Sequence, residues 1–166
     1  MTANSEQAFA ERPEIYAAWV NLNTTIKAGM DLRRYELVTL AAAKRLHSSY
    51  CCLAHGKILQ EQFDEPVRQI ALDHRSAGLD EVDVAVMDFA EKIVDDASRI
   101  TEEDHQKLRV LGLTDKDILD VTVAAAARCF FSKTLDALTV RADAHFEALD
   151  EEMKEALVVG RPIAEA

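Results

Sequence analysis

The stretch Asp80-Glu-Val-Asp-Val-Ala-Val-Met-Asp-Phe-Ala-Glu-Lys-Ile-Val-Asp-Asp-Ala97 decides the fold class. Val82, Ala85, Val86, Phe89, Ala90, Ile93 and Ala97 recur at three- and four-residue steps, which places them on one side of an α-helix. Glu81, Asp88, Lys92 and Asp95 take the wet side. The same period extends in both directions. A helix over about Glu14 to Ala28 follows Pro13, carries Ile15, Trp19, Leu22 and Ile26 on one face, and ends at Gly29. A second, about Leu32 to Leu46, repeats Leu37, Leu40, Ala41 and Lys44, and its Ala41-Ala42-Ala43 run lets a neighbouring helix come close. Ser48 is placed to cap a third, about Ser49 to Gln62, and Pro66 opens a short one ending near Asp73.

Beyond the central stretch, Thr101 caps a helix whose first turn holds Glu102 and Glu103, where carboxylates favour the dipole, and Gly112 stops it. Thr114 with Asp117 is close to a capping box and opens a long helix through Val121, Ala125, Cys129 and Ser132 to about Leu138. An acidic tail, 141–166, is expected to carry a helix over about Ala144 to Val158 packed through Phe146, Leu149, Met153 and Leu157. With 5 Gly, 3 Pro and almost no period-2 β-branched stretch, the chain reads as all-α. No linker or repeat divides it, and 166 residues suit one domain, 1–166.

Composition narrows the function. Hydrophobic residues make up 49%, too much for a disordered chain, and no window resembles a membrane span. The net charge of -11 repels nucleic acid and anionic bilayers, so neither is expected as a partner. Nothing at the start resembles a secretory signal, and the expected location is a reducing cytoplasm, where structural disulfides are rare. The three cysteines therefore need another explanation.

The chemistry-bearing segment is Glu36-Leu-Val-Thr-Leu-Ala-Ala-Ala-Lys-Arg-Leu-His47-Ser48-Ser49-Tyr50-Cys51-Cys52-Leu-Ala-His55-Gly56. With Ser48 as N-cap, Cys51 stands at the third helical position, where free N–H groups and the dipole favour a thiolate below the usual pKa of about 8.5. His55 lies one turn further on the same face, at the spacing where two side chains meet. A thiolate beside an imidazole is the arrangement of nucleophilic cysteines. Glu36, on the preceding helix, is carried back by a hairpin near residue 47 and can orient the imidazole or accept a proton.

Plainer roles compete. A free cysteine is commonly a packing residue, a histidine a half-buried structural one, and a glutamate a solvated charge. Cys52 points about 100° away from Cys51 and reads as core filler. Cys129 reads as core or as a distant second thiol. His47, Cys51 and His55 step at zinc-like intervals, but a structural site needs a fourth ligand, so neither metal nor cofactor is expected.

The stretch Arg34-Tyr-Glu36-Leu-Val-Thr-Leu-Ala-Ala-Ala-Lys-Arg45, followed by Ser48-Ser-Tyr-Cys51-Cys-Leu-Ala-His55-Gly56, resembles the core motif of the AhpD-like alkylhydroperoxidase and carboxymuconolactone decarboxylase superfamily. The core motif covers about 20–100. Ala127-Arg-Cys-Phe-Phe-Ser-Lys-Thr-Leu-Asp-Ala-Leu138 and Glu155-Ala-Leu-Val-Val-Gly-Arg-Pro162 extend the likeness to the peroxidase-related branch, the latter within a C-terminal extension, about 141–166. The resemblance implies a helical bundle assembled as dimers, trimers or hexamers, and thiol-dependent reduction of a hydroperoxide with electrons from a thiol reductant. It also implies a Glu36 and His55 proton relay serving Cys51. This chain departs from the family's Cys-x-x-Cys pair: Ser48 replaces the first cysteine and Tyr50 the usual histidine between the two. No disulfide can form within the motif, Tyr50 becomes a candidate proton carrier, and Ser48 a candidate hydrogen-bond donor to the thiolate. A sulfenic acid on Cys51 then needs a resolving thiol, from Cys129, another subunit or a small external thiol. The alternatives are a decarboxylase or isomerase acting on a small lactone or carboxylate, and a non-catalytic helical oligomer that binds a small molecule. The 80–98 helix and Phe130-Phe131 are expected to supply surface for self-association.

Overall fold

The computed structural model describes residues 2–165, and among them every regular element is helical. Nine α-helices run in the order α1 (Asn4–Gln7), α2 (Pro13–Gly29), α3 (Leu32–Arg45), α4 (Ser49–Phe63), α5 (Val67–Asp73), α6 (Glu81–Asp96), α7 (Glu102–Val110), α8 (Asp115–Ala137) and α9 (Glu151–Leu157). Short 3-10 turns follow α5 and α6 and precede α9. No described helix is long and apolar enough to cross a membrane.

The centre of the fold is α3, buried without interruption from Tyr35 to Ala43. A helix buried over such a length, with a carboxylate at Glu36 and a hydroxyl at Thr39 among its hidden residues, needs a partner on every side. It packs against α4, α6 and α8, and α6 also packs on α8. The small residues Ala41, Ala42 and Ala43 are almost wholly hidden, as their close approach to neighbours requires. Local signals set the ends: the side chains of Asp31, Asp80, Thr114 and Asp150 each accept a backbone N–H in the first turn of the helix they precede, and Thr114 with Asp117 completes a capping box.

Several features differ from the sequence expectation. The tail does not form one helix over Ala144 to Val158: a 3-10 turn, Ala144–Ala148, is separated from α9 by an extended Leu149, and Asp150 caps a new start. Ahead of α2, the unexpected α1 is tied to that tail, with the Asn4 N–H donating to Asp143 at 2.8 Å. Finally, the apolar face of α6 is spent inside the chain, where Val86, Met87, Phe89, Ala90 and Ile93 are buried. Phe131 is likewise internal, stacked on Trp19 at 4.5 Å, while Phe130 stays half exposed. Leu22, expected on one face of α2 with Ile15, Trp19 and Ile26, is exposed while Trp19 and Ile26 are buried.

The turn from α3 to α4 brings the chemistry-bearing residues to one end of the bundle. His47 takes a left-handed conformation there, φ 55°. The C-terminal segment closes over this turn, with the Gly160 N–H donating to Ser49 Oγ at 2.8 Å. A Cβ on Gly160 would lie 2.1 Å from the His47 carbonyl oxygen, a backbone atom that cannot swing aside. Gly160→Ala is therefore expected to cost about 1–3 kcal/mol in urea unfolding, the range for overpacking. Gly29→Ala, whose new Cβ would meet nothing nearer than the Asp120 side chain at 3.5 Å, is expected to be neutral or slightly stabilising.

Candidate functional site

Cys51 occupies the third position of α4, as its sequence position requires, and its residue is 1% exposed. Its sulfur is not met by the groups expected there. Ser132 Oγ donates to it across 3.1 Å, and Arg128 Nη1 approaches at 3.5 Å, both from α8. Ser48 is the N-cap by position only: its hydroxyl makes no cap bond and is a buried oxygen without a hydrogen-bond partner. The expected Ser48 donation to Cys51 is absent. Tyr50 is also turned away, its hydroxyl donating to Asp143 Oδ2 at 2.6 Å and lying 3.0 Å from Ser5 Oγ. It fastens α4 to the N-terminal segment and the tail, and burial, then the neighbouring carboxylate, push its pKa up. The hydrogen bonds of the Tyr50 hydroxyl thus go to Asp143 and Ser5, and Cys51 is not among its partners.

Glu36 and His55 do come together. Glu36 is completely buried on α3, and His55 Nδ1 lies 2.5 Å from its Oε2. Lys27 Nζ, reaching in from α2, stands 2.9 Å from Oε1 as an ion pair, at an angle that makes no hydrogen bond. Burial works against the Glu36 charge, but His55 and then Lys27 outweigh it and hold the carboxyl below its ordinary range. For His55, burial and then the positive charge of Arg128 bring the pKa down to about 4, despite Glu36. The imidazole is thus neutral near pH 7, with Nδ1–H donated to the carboxylate and Nε2 left as an acceptor. Its edge meets the Tyr35 ring at a centroid distance of 6.0 Å.

Arg128 was not singled out from sequence, and it is the most unusual group in the core. It is 4% exposed and pairs with no carboxylate among the described residues. Nη2 donates to the Tyr35 hydroxyl at 3.3 Å, and that hydroxyl donates to Asn23 at 2.6 Å. Nε has no partner, and the guanidinium lies 5.6 Å from the Trp19 ring and 5.7 Å from that of Phe131. Burial opposes its charge, while Cys51 and Tyr35 favour it and raise its pKa on balance. The sequence signal was present: a guanidinium inside Val123-Ala-Ala-Ala-Ala-Arg128-Cys-Phe-Phe131, where a helix has little else polar. Ser132, four residues on, shares its face.

Burial, and then the neighbouring Cys51, push the Cys52 thiol up, and burial raises that of Cys129. With Arg128 and Ser132 directed at Cys51, Cys129 lies about 100° round α8 from Arg128 and is a free, half-buried thiol. His47, Cys51 and His55 do not converge as metal ligands. The described group whose ligand atoms do approach one another is His74, Asp88 and Glu91, where Arg75 already pairs with both acids. The larger surface cavities, about 560 Å³ lined by Asn4, Asp143 and His145, about 520 Å³ lined by Val84, Lys107 and Val110, and about 460 Å³ lined by Phe9, Pro13 and Tyr16, do not include Cys51.

No protein-family model matches the chain, and a search of curated proteins finds no match. Solved structures do. An uncharacterized peroxidase-related protein from Ralstonia eutropha JMP134, described as an alkylhydroperoxidase AhpD core, superposes with a TM-score of 0.82 at 24% identity, over 88% of this chain and 80% of that one. An uncharacterized peroxidase-related protein from Silicibacter sp. TM1040 gives 0.83 at 22% identity, over 89% and 80%. The chain has the fold of the AhpD core.

Proposed function

We propose that the chain is a thiol-dependent peroxidase of the AhpD-like superfamily, with Cys51 as its single nucleophile and Glu36 with His55 as its proton relay. The observation that carries this reading is the buried Glu36–His55 pair one helical turn from a cysteine at the start of α4. The names of the solved neighbours, peroxidase-related proteins, support it. Departures at Ser48 and Tyr50 make it a one-cysteine enzyme.

The chemistry balances with the groups present. The Cys51 thiolate attacks the terminal oxygen of a hydroperoxide, an S–O bond forms, and the O–O bond breaks. His55 Nε2 takes the proton from the oxygen now on sulfur and returns it to the departing alkoxide, while Glu36 steadies the imidazole through Nδ1. The products are an alcohol and a Cys51 sulfenate, so the negative charge stays at the sulfur. After protonation, a low-molecular-weight thiol condenses with the sulfenic acid to a mixed disulfide and water, and a second equivalent releases the Cys51 thiolate and an external disulfide. An external thiol suits this geometry because Ser48 brings no sulfur and Cys129 faces elsewhere. Self-association belongs to the same reading, through exposed Phe130 on α8 and Val20 on α2.

Consumption of an organic hydroperoxide with a small thiol donor tests the proposal. Cys51→Ser is expected to abolish turnover, and Glu36→Gln and His55→Asn to lower kcat by about 10²-fold or more, the usual share of a positioned proton-transfer group. Full turnover in Cys51→Ser would remove the redox reading.

The neutral imidazole on which the relay depends also sets a pH dependence of stability. Between the folded pKa of about 4 and the unfolded value of about 6.5, the unfolded chain binds a proton at His55 that the folded chain does not. Stability is therefore fully present above this window and declines as pH falls through it, and Glu36, depressed in the fold, adds a loss of the same sign lower down. Urea unfolding at pH 7.5, 5.5 and 4.5 is expected to show this decline, and His55→Asn to flatten its upper part.

A further inference from the structure

Two opposite charges are buried in this core without meeting. Glu36 is committed to His55 and Lys27. Arg128 is left with a sulfur, a phenol and two aromatic faces. A guanidinium stays charged at any physiological pH, and a charge removed from water requires an opposite charge or a full set of acceptors. Tyr35 offers Arg128 a hydroxyl that already donates to Asn23, and the Arg128 Nε has no acceptor among the described residues. The neighbouring group on which Arg128 converges with a second donor, Ser132, and which becomes an anion on losing its proton, is the Cys51 thiol. Both donors aim at the same sulfur from successive turns of α8, a convergence that a thiolate accepts and a thiol, with its own proton to place, accepts poorly.

We propose that Arg128 is the positioning residue that holds Cys51 ionised, as the fixed countercharge of its thiolate with Ser132 as second donor, while His55 is kept out of that role and reserved for proton transfer. This rests on the reading of Cys51 as the reacting sulfur. It divides the work differently from a thiolate–imidazolium pair: the His55 ring is neutral and turned through Nδ1 to Glu36, so it supplies no charge to the sulfur. It also explains why sulfenate suits this site, since the charge that Arg128 balances persists through the oxidation step.

Thiolate absorbance near 240 nm tests the assignment and needs no access of a reagent to the buried sulfur. Each protein is read against its own Cys51→Ser counterpart, which subtracts Cys52 and Cys129. The wild type is expected to show the thiolate band at pH 7 and His55→Asn to keep it. Arg128→Met is expected to lose it at pH 7 and recover it in alkaline buffer, Arg128→Lys to keep part of it, and Ser132→Ala to reduce it. A wild type without the band at pH 7, an Arg128→Met protein that retains it, or a His55→Asn protein that loses it would each overturn the proposal. A measurement on folding makes the case independently: Cys51→Ser strands a buried cation and is expected to lower the urea midpoint, and adding Arg128→Met to that protein is expected to restore it. No recovery would count against the pairing. Hydroperoxide turnover separates the two readings. A wild type that carries the Arg128-dependent band but consumes no hydroperoxide leaves this inference standing and the peroxidase reading fallen, whereas an Arg128→Met protein with unchanged band and turnover does the reverse.

Discussion

Burial of ionised groups around α3 is the constraint on which the site depends. Helix α3 is hidden on every side, yet it carries a carboxylate at Glu36, and α8 brings a guanidinium into the same interior at Arg128. Removing one member of a buried pair commonly costs about 3–5 kcal/mol, because the survivor is left uncompensated. The fold resolves this by giving each charge its own partners from different helices: α2 and α4 supply Lys27 and His55 to Glu36, and α3 and α4 supply Tyr35 and Cys51 to Arg128, with Asn23 of α2 accepting in turn from Tyr35. The polar network is thus what fixes the relative placement of four helices at this end.

The consequence for chemistry is a separation of tasks within a few turns of helix. A carboxylate–imidazole pair with a free Nε2 is suited to moving a proton, and a sulfur beside a guanidinium and a hydroxyl is suited to carrying negative charge. Ser48, standing where the Cys-x-x-Cys pattern has its first cysteine, leaves the latter without that disulfide partner. Tyr50 and Ser48, adjacent to Cys51 in sequence, serve the architecture instead, one as a strut to Asp143 and Ser5 and the other as a buried hydroxyl beside the turn.

Much of this was legible residue by residue. Asp80, Thr101, Thr114 and Gly112 marked helix ends because caps act through backbone groups within one turn. Glu36 and His55 could be paired on paper because a short turn between two helices returns the chain antiparallel. Leu22 and the face of α6 were misjudged for a single reason: periodicity tells which side of a helix is apolar, but not which neighbour covers it or whether any does.

The sequence by itself determined the helical class, the order of the helices from α2 to α8, the position of Cys51 in the first turn of α4 and the one-turn spacing to His55, all of which are local in the chain. Only the tertiary structure decided what touches the sulfur. Arg128 and Ser132 lie 77 and 81 residues from Cys51, and no local rule ranks them above Ser48 or Tyr50 as its partners. That choice is made by the crossing of α8 over α3 and α4, which packing of the whole core sets.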